Sequence, residues 1–348
     1  MKIDDILYRT SEWLRGTGPN ADIVISTRVR FARNVDKIPF THWANKKQRE
    51  QVLVLAKEAA AKSGILKESV FLRLADVSEL DRQFLIERHL MSPEHAYESE
   101  YKAVIIEPRE IISVMVNEED HLRIQVIQSG FNLRDAWQLA DKIDTELNAT
   151  INYSYSGRWG YLTACPTNTG TGMRASLMLH LPALVMTKQI PKLLQALAKL
   201  NIVVRGLYGE GTEALGNFFQ ISNQVTLGRP ENDIIGNFEN VMTLIINREA
   251  HARKYLTVKE RDQIADKVSR AYGTLKSARI ITSNETINLM SNVRFGVNTG
   301  LLPGVDLKTV NEIFIMTQPA HLQKMENKIL TSDQRDMKRA DFIRSKLK

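Results

Sequence analysis

The chain has 348 residues, of which 43% are hydrophobic and 25% charged, a composition typical of a globular protein with room for one large domain and a smaller one. No apolar run is long enough to cross a membrane and the start is no signal peptide, so we expect a cytoplasmic protein. The single cysteine, Cys165, excludes an internal disulfide and a cysteine-based zinc site. The net charge of +7 favours an anionic partner, but the basic residues are dispersed, so direct nucleic-acid binding is not expected.

Hydrophobic periodicity and turn residues predict strands and helices up to about residue 256. The predicted strands are residues 22–26, 103–107, 111–116, 121–127, 161–164, 202–207 and 218–227. The predicted helices are residues 45–63, 132–148 with Asn132 as N-cap, 173–181, 188–200 and 231–255. Hairpin-like strands beside long helices indicate an α+β fold in which an antiparallel sheet is flanked by helices.

From about residue 257 the pattern is almost entirely helical, which predicts a smaller all-helical C-terminal domain. The expected organisation is an N-terminal segment at 1–21, a main domain at 22–256 and a helical domain at 257–348. Familiar nucleotide signatures are missing from the sequence: it has no P-loop, no paired HRD and DFG motifs, and no GxGxxG set after a strand. A nucleotide site has to be inferred from individual side chains.

Arginines stand near the ends of several predicted elements, where side chains can converge on a ligand. Arg28 and Arg30 are two apart near a strand end, so they face the same side. Arg174 is expected to open the helix at 173–181. Each guanidinium can pair with two phosphoryl oxygens, so the set suits a triphosphate, although one such arginine alone is more often a solvated surface residue. The set is Arg28, Arg30, Arg123, Arg174 and Arg205.

Two acidic sites and the cysteine are candidates for substrate binding. The acids in the turn at 117–121 form either an exposed hairpin tip, the commoner case, or a carboxylate site for a cationic substrate. Glu210 is flanked by glycines, which let the backbone approach a ligand closely. A lone cysteine is usually a small buried hydrophobe, but near several arginines the thiolate of Cys165 would be stabilised and reactive.

Four blocks that contain these residues resemble the ATP:guanidino phosphotransferases, the superfamily of creatine and arginine kinases. They are STRVRFAR at 26–33, VNEEDHLRI at 116–124, CPTNTGTGMRAS at 165–176 and RGLYGEGTEALGNFFQISNQVTL at 205–227. The blocks occur in the order of that family. The resemblance implies a glutamine-synthetase-like antiparallel sheet and an ATP- and Mg²⁺-dependent kinase that phosphorylates a guanidinium group.

The resemblance also implies roles for particular residues. The five arginines would bind the nucleotide phosphates, and His89 would contact the nucleotide. Glu119 and Glu210 would hold the guanidinium, with Cys165 beside it. No metal ligand among the side chains is implied.

The layout around these blocks is similar to that of the bacterial protein arginine kinases. Small-molecule phosphagen kinases carry a helical domain of roughly a hundred residues before the STRVR block, the size of a small domain, whereas here that block begins at Ser26. An open acceptor site suits an arginine presented by another protein. Two alternatives stay open: a kinase for free arginine or another small guanidino compound, and a non-catalytic phosphoarginine reader.

The C-terminal tail contains a further candidate site. On a helix, Arg335 and Arg339 would lie on one face, with Asp336 and Ala340 beside them. By composition this is most often a solvated helix, but the RDxxRA pattern resembles the allosteric phosphoarginine pocket of protein arginine kinases. The same resemblance implies a homodimer, the activator McsA, and tagging of proteins in the stress response for a Clp-type unfoldase and protease, with a heat-shock repressor among the substrates.

Overall fold

The computed structural model describes residues 3–206 and 215–347. Glu210 therefore lies outside the described residues. Among the described residues, no helix is both long and apolar enough to cross a membrane.

The centre of the molecule is an antiparallel sheet. The strands in the described residues are β1 (Val24–Arg33), β2 (Val70–Arg73), β3 (Ala103–Ile106), β4 (Ile112–Val116), β5 (Leu122–Ser129), β6 (Tyr155–Ser156), β7 (Gly160–Tyr161), β8 (Met173–His180), β9 (Ile202–Gly206) and β10 (Phe218–Asn223). Eight of them form one sheet in the order β2-β3-β4-β5-β1-β8-β10-β9, while β6 and β7 form a small separate hairpin. Every neighbouring pair in the large sheet is antiparallel.

Helices surround this sheet and make up the C-terminal part of the chain. They are α1 (Lys46–Lys62), α2 (Glu79–Glu87), α3 (Pro93–Ala96), α4 (Leu133–Asn148), α5 (Pro182–Met186), α6 (Ile190–Lys199), α7 (Glu231–Lys259), α8 (Arg261–Ser277), α9 (Ser283–Asn298), α10 (Leu307–Met316), α11 (Pro319–Met325) and α12 (Ser332–Lys346). Short 3-10 helices lie at Ile3–Ile6, Glu12–Leu14, Leu74–Asp76, Pro166–Asn168 and Leu215–Asn217. The α+β class with a helical C-terminal region is confirmed.

The two faces of the sheet have different roles because side chains alternate along each strand. On β1, Val29 and Phe31 are fully buried in the same apolar core as Ala136 and Ile143 of α4. Arg28 and Arg30 occupy the alternate positions and are only partly buried. The apolar face of the sheet is therefore covered by helices, and the opposite face carries the arginines.

One predicted helix is wrong. Residues 173–181 form the central strand β8, which pairs with β1 on one side and β10 on the other. Its residues Met173, Ala175, Leu177 and Leu179 are fully buried. Met, Ala and Leu have high helix propensity, but packing between two neighbouring strands overrides that preference.

Several strand limits also differ from the prediction. The first strand extends to Arg33, so Arg28 and Arg30 lie in its middle, not at its end. The predicted strand at 161–164 is reduced to Gly160–Tyr161, and the one at 218–227 ends at Asn223. The elements β2, α2 and α3 were not predicted.

The predicted domain boundary at 256/257 falls inside a continuous helix, since α7 runs to Lys259. Beyond it, α8, α9, α10 and α12 share an apolar cluster of their own that includes Leu275, Met290 and Ile343. A second cluster joins Trp13 of the N-terminal segment to Met316 of α10. The C-terminal helices therefore pack against the main part of the chain, and the division at 1–21, 22–256 and 257–348 stays a prediction.

Candidate active site

The structure brings the predicted arginines together on one face of the sheet. Arg30 of β1 lies directly opposite Arg174 of β8 in the strand register, and Arg123 of β5 lies opposite Ala32 of β1. With Arg28 and Arg205, these side chains line one cleft of about 1120 Å³. Neighbouring antiparallel strands thus place arginines that are distant in sequence side by side.

The electrostatics of this cleft favour an anion. Burial lowers the pKa of Arg28 to about 10, and repulsion from Arg123, Arg174 and Arg205 adds to the effect. Burial and the neighbouring arginines also lower the pKa of Arg30 well below its ordinary value. Like charges that are close together and shielded from water repel each other strongly, and phosphate groups would relieve that repulsion.

The acidic turn lies at the same cleft and is joined to the arginines. Arg123 donates through Nη1 to Glu118 at 2.7 Å and through Nη2 to Glu119 at 3.1 Å. The side chain of Glu118 is 4% exposed and that of Glu119 is 44% exposed. The predicted carboxylate Glu119 is therefore the accessible one, while Glu118, which sequence reasoning did not single out, anchors Arg123.

The pKa values of the two glutamates move in opposite directions. Burial alone would raise the pKa of Glu118, but Arg123 and a hydrogen bond from Ser92 hold it below its ordinary value. Burial raises the pKa of Glu119, and the opposing effect of Arg123 is not enough to cancel it. Of the two carboxylates, Glu119 therefore has the greater proton affinity.

Asp120 connects the acidic turn to the loop that carries Cys165. Its Oδ1 accepts hydrogen bonds from Asn34 Nδ2 and from the backbone amide of Ala164, each at 2.7 Å. Cys165 is partly buried, lines the cleft, and has its Sγ 3.0 Å from Oγ1 of Thr167. The third acid of the turn thus has a structural role, and it fixes the position of the cysteine relative to Glu119.

His89 also lines the cleft. Its backbone has a φ of 58°, and its ring packs edge-on against Trp13 at 4.8 Å between centroids. Burial, with repulsion from Arg28, lowers the pKa of His89 to about 3, so its imidazole is neutral at pH 7. His89 also borders an adjoining cavity of about 40 Å³, which Met178 and Phe218 line as well.

Further residues of the cleft escaped the sequence reasoning. Gln125 is two residues after Arg123 on β5, and strand periodicity alone could have placed it on the same face. Gln220 accepts a 3.0 Å hydrogen bond from Nη2 of Arg28. Asn284 and Phe314 come from the C-terminal helices, and no local sequence signal connects them to this site.

The tail residues lie on α12, and none of them lines the arginine cleft. Arg339 is buried, donates to the carbonyls of Thr317 and Ile281 at 2.9 Å each, and forms an ion pair with Asp336. Arg335 donates to the carbonyl of Leu330 at 2.9 Å. The remaining member of the motif, Ala340, is fully buried among the C-terminal helices.

Two sequence families match the chain. The ATP:guanido phosphotransferase C-terminal catalytic domain matches residues 51–252. The chain belongs to this family. A second match, the protein-arginine kinase McsB C-terminal domain, covers residues 261–348. As a member of the ATP:guanido phosphotransferase family, the chain is an ATP-dependent kinase.

Individual relatives agree with this family. A protein-arginine kinase from Halothermothrix orenii is 44% identical and covers 100% of this chain and 99% of the relative. One from Symbiobacterium thermophilum is 48% identical over 97% of this chain and 96% of the relative. The duplicated taurocyamine kinase of Schistosoma mansoni with bound transition-state-analogue components superposes with a TM-score of 0.62 and 29% identity, covering 68% of this chain and 34% of that one. Lombricine kinase, with a TM-score of 0.59 and 23% identity over 69% of this chain and 71% of that one, shares the fold.

Proposed function

We propose that this kinase transfers the γ-phosphoryl group of ATP to arginine side chains of proteins. The observation that carries the proposal is the convergence of Arg28, Arg30, Arg123, Arg174 and Arg205 in one cleft with an accessible carboxylate, Glu119, at the same site. The arginines can bind the phosphates of the nucleotide, and the carboxylate can bind a guanidinium group. Relatives named protein-arginine kinase that match over nearly the whole chain support a protein acceptor.

In the proposed mechanism the arginines bind and orient the triphosphate. Phosphoryl transfer needs little covalent chemistry from the enzyme, so positioning and charge neutralisation provide most of the catalysis. Among the described residues no cluster of His, Cys, Asp and Glu could hold a metal ion. Mg²⁺ would enter on the nucleotide, where it would neutralise phosphate charge.

The acceptor guanidinium would bind at Glu119. This carboxylate is 44% exposed and has a single described ion pair, at 3.1 Å to Arg123, so an incoming guanidinium can replace that partner. Its raised pKa suits it to accept a proton as the guanidinium nitrogen attacks phosphorus. Glu210 would hold the guanidinium from a second side, and Cys165 would lie against it.

A kinase for free arginine is the competing function, and kinetics distinguish the two. The kinase would be assayed with MgATP and either free arginine or an unfolded arginine-containing protein, at matched arginine concentration. We expect a much higher kcat/KM for the protein. A kcat/KM for free arginine equal to or above that for the protein would reject the protein acceptor.

We also propose that the tail motif binds phosphoarginine and regulates activity. Arg335 and Asp336 are partly exposed on α12 and supply the polar groups, whereas Arg339 and Ala340 would support them from the interior. A ligand can change activity only if it favours one conformation or assembly, and the coupling must be reciprocal. Calorimetric titration of phosphoarginine should give binding to wild type and none to Arg335→Ala. Equal binding to both would leave the motif as a charged helix face.

The cellular context is proposed on family resemblance alone. The kinase would act in the cytoplasm as a homodimer, with McsA as activator and a heat-shock repressor among its substrates. Phosphorylated proteins would pass to a Clp-type unfoldase and protease in the stress response. Reconstituted degradation of a phosphorylated protein by the Clp protease, with the unphosphorylated protein as control, tests this step.

A further inference from the structure

The segment after β1 presents aromatic side chains to solvent next to the candidate active site. Trp43 is 75% exposed. Its ring centroid lies 4.7 Å from that of His42 and 6.4 Å from that of Phe40. Grouped exposed aromatic residues are a common feature of binding surfaces. We refer to Phe40, His42 and Trp43 as the aromatic surface.

Hydrogen bonds hold this surface in place. The backbone amides of Trp43 and Ala44 both donate to the carbonyl of Phe40, at 2.8 and 2.9 Å. Nε of Arg49, on α1, donates to the carbonyls of Thr41 and Ala44 at 3.0 and 3.2 Å. The backbone that carries the rings is therefore held in place, which reduces the entropy lost when a partner binds.

The same segment is bonded to the acidic turn that contains Glu119. His121 donates through Nε2 to the carbonyl of Pro39 at 2.9 Å and accepts at Nδ1 from the amide of Val35 at 3.0 Å. Nδ2 of Asn117 donates to the carbonyl of Arg49 at 2.9 Å. Both ends of the turn are thus fixed relative to the aromatic surface.

The aromatic surface also acts electrostatically on Glu119. Among the charges that oppose the burial-raised pKa of Glu119, Arg123 has the largest effect and His42 also contributes. Lys46 and Lys47 are exposed at the start of α1, close in sequence to Trp43. This positive charge disfavours basic residues in a bound partner and favours neutral or acidic ones.

We propose that the aromatic surface binds an apolar side chain of the polypeptide that carries the target arginine. The inference rests on the proposed protein acceptor and extends it to a sequence preference. A guanidinium held at Glu119 continues into a polypeptide backbone, and the neighbouring side chains of that backbone can reach the adjoining surface. The kinase would therefore prefer arginines next to exposed apolar residues, as in unfolded segments, and would disfavour lysine-flanked arginines.

Two peptides of equal length and charge test the inference. Each contains a single arginine, which is flanked by leucine and phenylalanine in one peptide and by glycine and serine in the other. For the apolar-flanked peptide, Trp43→Ala should raise KM about ten-fold, the effect typical of losing a buried aromatic contact. The kcat for the apolar-flanked peptide should stay unchanged, as should both kcat and KM for the glycine-flanked peptide. Trp43→Phe should retain most of the affinity. Tyr255→Ala, which removes a 54% exposed aromatic residue of α7, is the matched control and should change neither peptide.

Three results would overturn the inference. Unchanged kinetics of Trp43→Ala with the apolar-flanked peptide would show that the surface is not used. An equal loss with both peptides would assign Trp43 to the integrity of the active site. If wild type phosphorylates free arginine but neither peptide, the proposed protein acceptor fails and this inference fails with it.

Discussion

Replacing Arg28 by methionine should make the ligand-free kinase more stable and at the same time weaken its nucleotide binding. Arg28 is partly buried beside three other arginines, and its pKa falls to about 10. A cation whose pKa is lowered by folding disfavours the folded state at every pH below that value, because the unfolded chain holds the proton more tightly. Methionine keeps the apolar stem and removes the charge.

The size of the effect follows from the pKa. The ordinary value for arginine is about 12.5, and one pKa unit corresponds to about 1.4 kcal/mol, so the charge disfavours folding by about 3 kcal/mol. The substitution also removes the 3.0 Å hydrogen bond to Gln220, which contributes about 1 kcal/mol. We therefore expect the free energy of unfolding to rise by about 2 kcal/mol.

Arg33 is the matched control because it is a buried arginine on the same strand. Its Nε and Nη2 bind Asp144 at 2.9 and 2.7 Å, and its Nη1 donates to the carbonyl of Thr171 at 2.8 Å. Arg33→Met leaves Asp144 as an uncompensated buried charge, which costs about 3–5 kcal/mol. The same substitution should therefore have opposite effects at two positions of β1.

Chemical denaturation with and without MgATP measures both effects. In wild type, MgATP should increase the free energy of unfolding through linkage, and in Arg28→Met this increase should be much smaller. A lower stability of ligand-free Arg28→Met would refute the destabilising effect of its charge, and full stabilisation of that variant by MgATP would refute its role in phosphate binding.

Three further predictions concern catalysis and pH. Glu119→Gln should reduce phosphoryl transfer by ~10²–10⁴-fold while the calorimetric affinity for ATP stays nearly unchanged; near-normal turnover would reject the carboxylate's role. Arg174→Lys keeps the charge but loses the bidentate contact with phosphate, so kcat/KM should fall strongly. Unchanged steady-state kinetics would exclude a contact between Arg174 and phosphate. Burial lowers the pKa of His89 to about 3 and that of His121 to about 4. Both would protonate near pH 6.5 in the unfolded chain, so the free energy of unfolding should fall as pH drops from 6.5 towards 4. Equal free energies of unfolding at pH 7 and pH 5 in denaturant titrations would contradict this.

The sequence predicted the α+β class and most of the elements because their signals are local. Helix α1, for example, begins after Asn45, whose side chain forms a capping box with that of Gln48, a signal that lies within four residues of sequence. Strand β8 has an apolar residue at every second position from Met173 to Leu179, but Met178 interrupts the alternation, and the high helix propensity of its Met, Ala and Leu residues favours a helix. Its misassignment also placed Arg174 at a helix start, whereas its position opposite Arg30 comes from strand pairing.

The candidate site was predictable in its residue types but not in its geometry. The charged side chains of Arg28 and Arg123 stand out in the sequence, yet only the register of β1 and β5 shows that they share a face. Glu118 and Glu119 have different roles because one is buried and the other is exposed. The sequence of two adjacent glutamates does not show which of them is buried. The contribution of Phe314 depends on the packing of α10 against the sheet region, a long-range contact without a local pattern.

The most direct test of the proposed phosphoryl transfer is the mapping of acid-labile phosphate on an unfolded acceptor protein after incubation with the kinase, ATP and Mg²⁺. We expect the phosphate on arginine side chains, and we expect it to be almost absent when Glu119→Gln replaces wild type. An acceptor protein without phosphate, or with acid-stable phosphate on serine or threonine only, would contradict the proposed function.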